Sequence, residues 1–154
     1  MLTSKDLALA LKVELKPNEK IVVGSVVIRN GDTRARLVIE GDAAILRERD
    51  IIGASEAESP AKRIYFVLQL MYLDKDVVAH KNAFIELIDA FMQAVPSAWP
   101  IISKITDHVI SGDIYRAIKT TRTLIEYEEE LLKHELRDEC ISKDGTNGTE
   151  PKAA

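Results

Sequence analysis

Leu11, Val13 and Leu15 alternate with Lys12, Glu14 and Lys16, the two-residue period of a strand with one buried face. Pro17-Asn18 is a turn signal. A β-branched run then starts at Lys20, continues to Val23, is interrupted at Gly24 and resumes through Val26, Val27 and Ile28. A glycine inside such a run marks a bulge or a bend. Asn30-Gly31-Asp32 predicts a hairpin, because Asn-Gly takes the positive φ angles of tight turns. From Arg34 to Glu40 the alternation is clear: Ala35, Leu37 and Ile39 face one way, and Arg34, Arg36, Val38 and Glu40 the other. Gly41-Asp42 turns the chain again, and Ala44 to Leu46 can form a short last strand. Short antiparallel strands of this kind build a small sheet or open barrel.

The period changes after Ala54. Ser59-Pro60 is an N-cap followed by proline at the first helical position. Ile64, Val67, Leu68, Met71 and Tyr72 then recur at helical spacing until Asp74-Lys75-Asp76. A second helix runs from about Val77 to Val95, with Phe84, Leu87, Ile88 and Phe91 on its apolar stripe, and Pro96 ends it. A third spans about Ile101 to Ile110. Ser111-Gly112 stops it, and Asp113 caps a fourth from Ile114 to about Leu136. The expected fold class is α+β, a small antiparallel sheet or open barrel followed by a four-helix C-terminal region. The expected organisation is an N-terminal extension (1–10), a β-rich region (11–53), a helical region (59–136) and a disordered, polar tail (137–154).

Composition narrows the function. With 154 residues, 46% hydrophobic and 30% charged, the chain suits one domain or two small subdomains without a disulfide or metal to hold them. Its net charge of −4 is not that of a general nucleic-acid coat. The charge is uneven, however. Residues 1–54 hold nine Lys/Arg against eight Asp/Glu, and residues 55–154 hold twelve against seventeen. Only the first third tolerates a polyanion electrostatically. Residues 1–10 are too short and too charged for a secretory signal, and no apolar run reaches the roughly 20 residues that span a bilayer. A cytoplasmic protein with no membrane partner is expected.

Catalytic chemistry finds little support. His80, His108 and His134 fall on three different predicted helices, without metal-motif spacing. Cys140 is the single cysteine, which excludes an internal disulfide and a multi-cysteine zinc site. There is no glycine-rich phosphate loop and no nucleophile elbow, so neither an enzyme nor a cofactor is expected. Glu126, Glu128, Glu129 and Glu130 read as a solvated helix face, with Glu129 and Lys133 as an i,i+4 pair. Trp99, between Pro96 and Pro100, reads as a core or loop plug. The third and fourth helices invite a helix-turn-helix reading. The acidic distal half of the fourth favours an ordinary helical hairpin instead.

The basic strands are the strongest chemical feature. Arg34 and Arg36 share one strand face, and Arg47 and Arg49 do the same if strand geometry persists there. Guanidinium groups bind phosphates bidentately and stack on unpaired bases. Solvent-facing arginines also pair with Glu40, Glu48 or Asp50 across a sheet. The residue pattern leaves both readings open.

The run LKVELKPNEKIVVG with VVIRNGDTRARLVIEGDAAILRERDI resembles the FlbT regulators of flagellin expression, and SPAKRIYFVLQLMYL (59–73) and GDIYRAIKTTRTLIEYEEELL (112–132) extend the resemblance. It covers about residues 9–135. The resemblance implies binding to the 5′ untranslated region of flagellin mRNA and repression of its translation or promotion of its decay, within flagellum biogenesis. An activating role is also associated with the family. The implied partners are the flagellin mRNA leader, the small protein FlaF and flagellin itself. A weaker similarity links the strand pattern of residues 11–51 to the CsrA translational regulators, small β-rich dimers. Leu15 stands where the CsrA pattern has an arginine, and one extra residue precedes Ile51. On these grounds the expected RNA-binding residues are Arg34, Arg36, Arg47 and Arg49, with Lys16 and Lys20 at the edge. The alternative is an adaptor that binds FlaF or flagellin through the helices and affects mRNA indirectly. At net +1, the strand region invites a partner or a second copy of itself, a homo-oligomer, to hold RNA firmly.

Overall fold

The structure, a computed structural model, describes residues 10–146, and the side chains of 10–140. The chain divides into two compact units between Leu87 and Ile88. The first holds β1 (Leu11–Leu15), β2 (Lys20–Val23), β3 (Val26–Arg29), β4 (Ala35–Ile39) and β5 (Ile45–Arg47), followed by α1 (Pro60–Asp74). The helix α2 (Val77–Ala94) runs across the division. The second unit holds α3 (Trp99–Ile110) and α4 (Ile114–Thr146). The α+β class and the four helices are as the sequence predicts.

The strands form two antiparallel sheets, a ribbon of β1 and β4 and a three-stranded sheet in the order β3-β2-β5. In the ribbon, Leu11 lies opposite Ile39, Val13 opposite Leu37 and Leu15 opposite Ala35. These residues share one face, so the alternation read from Arg34 to Glu40 is the pleat itself. Val13 and Leu15 meet Ile21 of β2 in a core that Val23, Leu37, Ile39 and Ile45 complete. A two-stranded ribbon is marginal alone, and this core is what holds it.

Turn chemistry explains the connections. Lys16 to Glu19 is a type II turn: Glu19 N–H donates to Lys16 O at 3.1 Å, Pro17 presets its φ, and Asn18 takes φ 62°. Gly24, at φ 60°, opens a two-residue hairpin turn between Val23 and Val26, which lie opposite each other. The interruption at Gly24 is thus a turn between two strands rather than a bulge.

Asn30-Gly31-Asp32 does not form the expected hairpin. β3 and β4 belong to different sheets, and Gly31 is not at positive φ. The Asn30 side chain acts as a clasp instead. Its Nδ2 donates to Leu15 O (3.2 Å), Lys16 O (2.8 Å) and Thr33 O (2.8 Å). Asn18 N–H adds a bond to Gly31 O at 2.9 Å. The segment crosses between sheets because these bonds tie it to the Pro17-Asn18 turn. Asn30→Ala removes the shared donor and leaves carbonyls without it, so a loss of about 1–3 kcal/mol is expected in urea denaturation.

α1 starts as predicted: Ser59 Oγ accepts from Lys62 N–H at 3.2 Å, with Pro60 at the first position. It ends at Lys75, left-handed at φ 53°. Asp76 then caps α2 by accepting from Ala79 N–H at 3.0 Å. Between α3 and α4 the chain makes a Schellman turn. Asp113 N–H donates to His108 O, Gly112 N–H donates to Val109 O, and Gly112 sits at φ 82°. Ile102, Ile105, Ala117, Ile118, Thr121 and Leu124 are fully buried, and α3 and α4 form a helical hairpin.

Three expectations about the second unit are corrected. α4 continues to Thr146, past the end near Leu136 read from the sequence. No glycine or proline interrupts it before Gly145, which is why a polar stretch stays helical. Residues 147–154 of the expected tail, like 1–9 of the expected extension, lie outside the described residues. Trp99 is 59% exposed at the start of α3, not a plug. Lys133 pairs with Glu130 at 3.6 Å rather than Glu129, and Glu128 is buried, so the glutamate run is not solvated all round.

Candidate nucleic-acid interface

The strands and turns of the first unit shape an open cleft of about 750 Å³. Lys16, Arg34, Arg47 and Arg49 line it together with Glu14, Glu19 and Glu48 around the Pro17-Asn18 turn. Four cations against three carboxylates leave the cleft at net +1. The structure therefore brings four of the six expected residues to one place: Lys16 from the β1–β2 turn, Arg34 from just before β4, Arg47 from the end of β5 and Arg49 from the 3₁₀ turn that follows it.

Each carboxylate already has a structural task. Glu19 accepts from Lys16 N–H at 2.8 Å, and Glu48 accepts from Lys20 N–H at 3.2 Å. Glu14 pairs with Arg34 at 3.1 Å, both side chains more than half exposed. The Glu14–Arg34 pair is solvent-screened and weak, worth about 0–1 kcal/mol, so a phosphate can compete for the arginine. Neither Lys16 nor Arg47 makes an ion pair among the described residues. Arg47 is half-buried, which limits its freedom and lowers the entropy it loses on binding.

Arg36 and Lys20 do not join the cleft. Arg36 projects from the outer face of the ribbon, opposite Glu14 on the ladder, and lines a smaller groove of about 480 Å³ with Lys12 and Val38. Lys20 lies opposite Arg29 at the start of β2. Arg47 and Arg49 do not share a strand face either. β5 ends at Arg47, and Glu48–Asp50 form a 3₁₀ turn, so period-two alignment stops there. Both side chains nonetheless reach the cleft.

A row of polar side chains on α1 fixes this last segment, and the hydrophobic pattern gave no sign of it. Tyr72 Oη accepts from Ile45 N–H at 3.2 Å, and the Tyr65 hydroxyl donates to Asp50 O. Gln69 is bidentate: its Oε1 accepts from Ile52 N–H and its Nε2 donates to Ile52 O, each at 2.9 Å. Tyr65, Gln69 and Tyr72 recur at i, i+4 and i+7, one stripe of the helix. They bracket Arg47 and Arg49 from both sides in sequence. Gln69, a glutamine among apolar helix positions and only 5% exposed, was the available signal, since buried amides need backbone partners.

Among the described residues, no group of three His, Cys, Asp or Glu side chains could hold a metal ion. His80 Nε2 lies 3.0 Å from Asp74 Oδ2. No helix of the described residues is long and apolar enough to cross a membrane.

Residues 11–132 match the family model described as flagellar protein FlbT. The chain belongs to the FlbT family. It is 50% identical over 124 residues to the probable flagellum biosynthesis repressor protein FlbT 1 of Bradyrhizobium diazoefficiens, covering 80% of this chain and 85% of that one. It is 48% identical over 122 residues to the probable flagellum biosynthesis repressor protein FlbT of Rhodopseudomonas palustris, covering 79% and 97%. The flagellum biosynthesis repressor protein FlbT of Caulobacter vibrioides is 40% identical over 130 residues, covering 80% and 90%. FlbT is a family of regulators, not of enzymes. No solved structure matches the chain. The whole cleft, from Glu14 to Arg49, falls inside the matched region.

Proposed function

We propose that this FlbT-family protein is a cytoplasmic post-transcriptional regulator of flagellum biogenesis. It binds the 5′ untranslated region of flagellin mRNA through the Lys16–Arg34–Arg47–Arg49 cleft, and represses translation or promotes decay of the message. The observation that carries the reading is the convergence of these four cations in an otherwise acidic chain. Guanidinium groups in an open cleft suit unpaired RNA, whose phosphates and bases are both exposed. Catalysis is not needed: occupancy of the leader blocks initiation, and cellular nucleases degrade the untranslated message.

The test is a mobility-shift assay with a flagellin leader RNA, run with and without FlaF. The protein alone should shift the RNA. Four phosphate contacts on a single strand give a log–log salt slope of roughly −3. A flat salt response would count against the cleft.

A second reading has its own support. Leu132 and Leu136 are exposed at i,i+4 spacing on the acidic α4, a face that an adaptor for FlaF or flagellin could use. Stable capture of FlaF with no RNA shift would favour it.

A further inference from the structure

β3 is an edge strand, and its outer side has no partner strand among the described residues. All four of its residues are exposed, with Val26 at 57%, Val27 at 62% and Ile28 at 38%. Natural edge strands carry lysines, prolines or bulges that discourage pairing. Val26–Ile28 carries none of these, so an apolar strand edge is left open. We infer that β3 pairs antiparallel with β3 of a second copy of this chain, about a two-fold axis passing through Val27.

The register follows from the ladder. Asn30 N–H donates to Glu19 O in the continuation of the β2–β3 pairing. Because hydrogen-bonding direction alternates along a strand, Ile28 and Val26 turn their backbone groups towards β2. Val27 and Arg29 therefore turn theirs outwards. A two-fold axis at Val27 makes it a hydrogen-bonded pair with its own copy, each N–H donating to the other carbonyl.

Side chains fit the same register. Val26 falls opposite Ile28 of the second copy, and Ile28 opposite its Val26, so three apolar cross-strand pairs form at once. Arg29 meets Ser25 rather than another arginine. Moving the axis to Ile28 would set Val27 against Arg29, and moving it to Arg29 would oppose two like charges, which is unfavourable. Only the axis at Val27 sets every apolar residue against another. This self-complementarity selects a second copy over an unrelated strand.

The pairing joins two three-stranded sheets into one of six. A four-residue edge contact lies below the roughly 1,200 Å² of a standard stable interface, so the dimer is concentration-dependent. None of Val26–Arg29 lines the basic cleft, so the interface stands independently of RNA binding.

Sedimentation velocity of the full chain over a concentration series tests the inference. The wild type should pass from monomer to dimer. Val27→Lys and Val27→Glu each place like charges opposite one another on the axis and should weaken the dimer by about tenfold or more, while far-UV circular dichroism stays unchanged. An equimolar mixture of the two should restore a dimer, because lysine then faces glutamate. A wild type that stays monomeric throughout overturns the interface, as does a Val27→Lys variant that dimerises like wild type. A mixture that behaves like either variant alone overturns the register.

Discussion

Glutamate at both Arg47 and Arg49 is expected to lower affinity for a flagellin leader RNA by about a hundredfold, since each charge-assisted hydrogen bond to RNA is worth about 1.5 kcal/mol or more. The two residues supply half of the cleft's four cations. Reversing both turns four cations against three carboxylates into two against five, from net +1 to −3. Arg47 is the more telling site. It makes no ion pair among the described residues, and its position at the end of β5 is fixed by pairing with Ile21. Arg36→Ala and Lys20→Ala, outside the cleft, should change affinity by no more than about threefold, the scale of a screened surface charge. Glu14→Gln should do the opposite of the double variant. It releases Arg34 and raises the cleft to net +2, so binding tightens and its salt slope steepens. Fluorescence anisotropy across a salt series measures all four. Equal losses in the cleft variants and in Arg36→Ala would show that general charge, not this cleft, binds RNA.

What the sequence conveyed, it conveyed through period and turn chemistry. The alternation of Leu11–Leu15 and Arg34–Glu40 is a local consequence of burying one face, so each strand could be read alone. Ser59-Pro60 and Asp113 likewise act within one turn of where they stand. Pairing is a different matter. Asn30-Gly31 has the composition of a hairpin, yet whether it becomes one depends on Leu15, Lys16 and Asn18, which lie about a dozen residues earlier and claim its polar groups. The cleft was half visible for the same reason. Arg34, Arg47 and Arg49 stand out as charges within the strand-rich run. Their convergence on Lys16 depends on the two sheets packing through Val13, Leu15 and Ile21. The FlbT resemblance supplied what spacing lacked, a reason to expect RNA.

The shared core makes a second strong prediction. Ile21→Ala should destabilise the protein by about 2–5 kcal/mol, the range for truncating a fully buried isoleucine. Ile21 is 0% exposed, on the central strand of the three-stranded sheet, against Val13 and Leu15 of the ribbon. Truncation opens a cavity where the two sheets meet, and neither sheet is large enough to close over it. With a urea m-value of about 2 kcal/mol per molar, the midpoint should fall by about 1–2.5 M. Val38→Ala, on the outer face of β4 and 58% exposed, should change stability by under about 0.5 kcal/mol. The consequence reaches the cleft because Ile21 lies directly opposite Arg47 on the ladder. Ile21→Val, which removes one methyl group, should cost about 0.5–1.5 kcal/mol and keep RNA affinity close to wild type. Ile21→Ala should lose affinity even at temperatures where circular dichroism shows it folded. If Ile21→Ala binds RNA as well as Ile21→Val does, the inter-sheet core holds the fold together but does not aim Arg47.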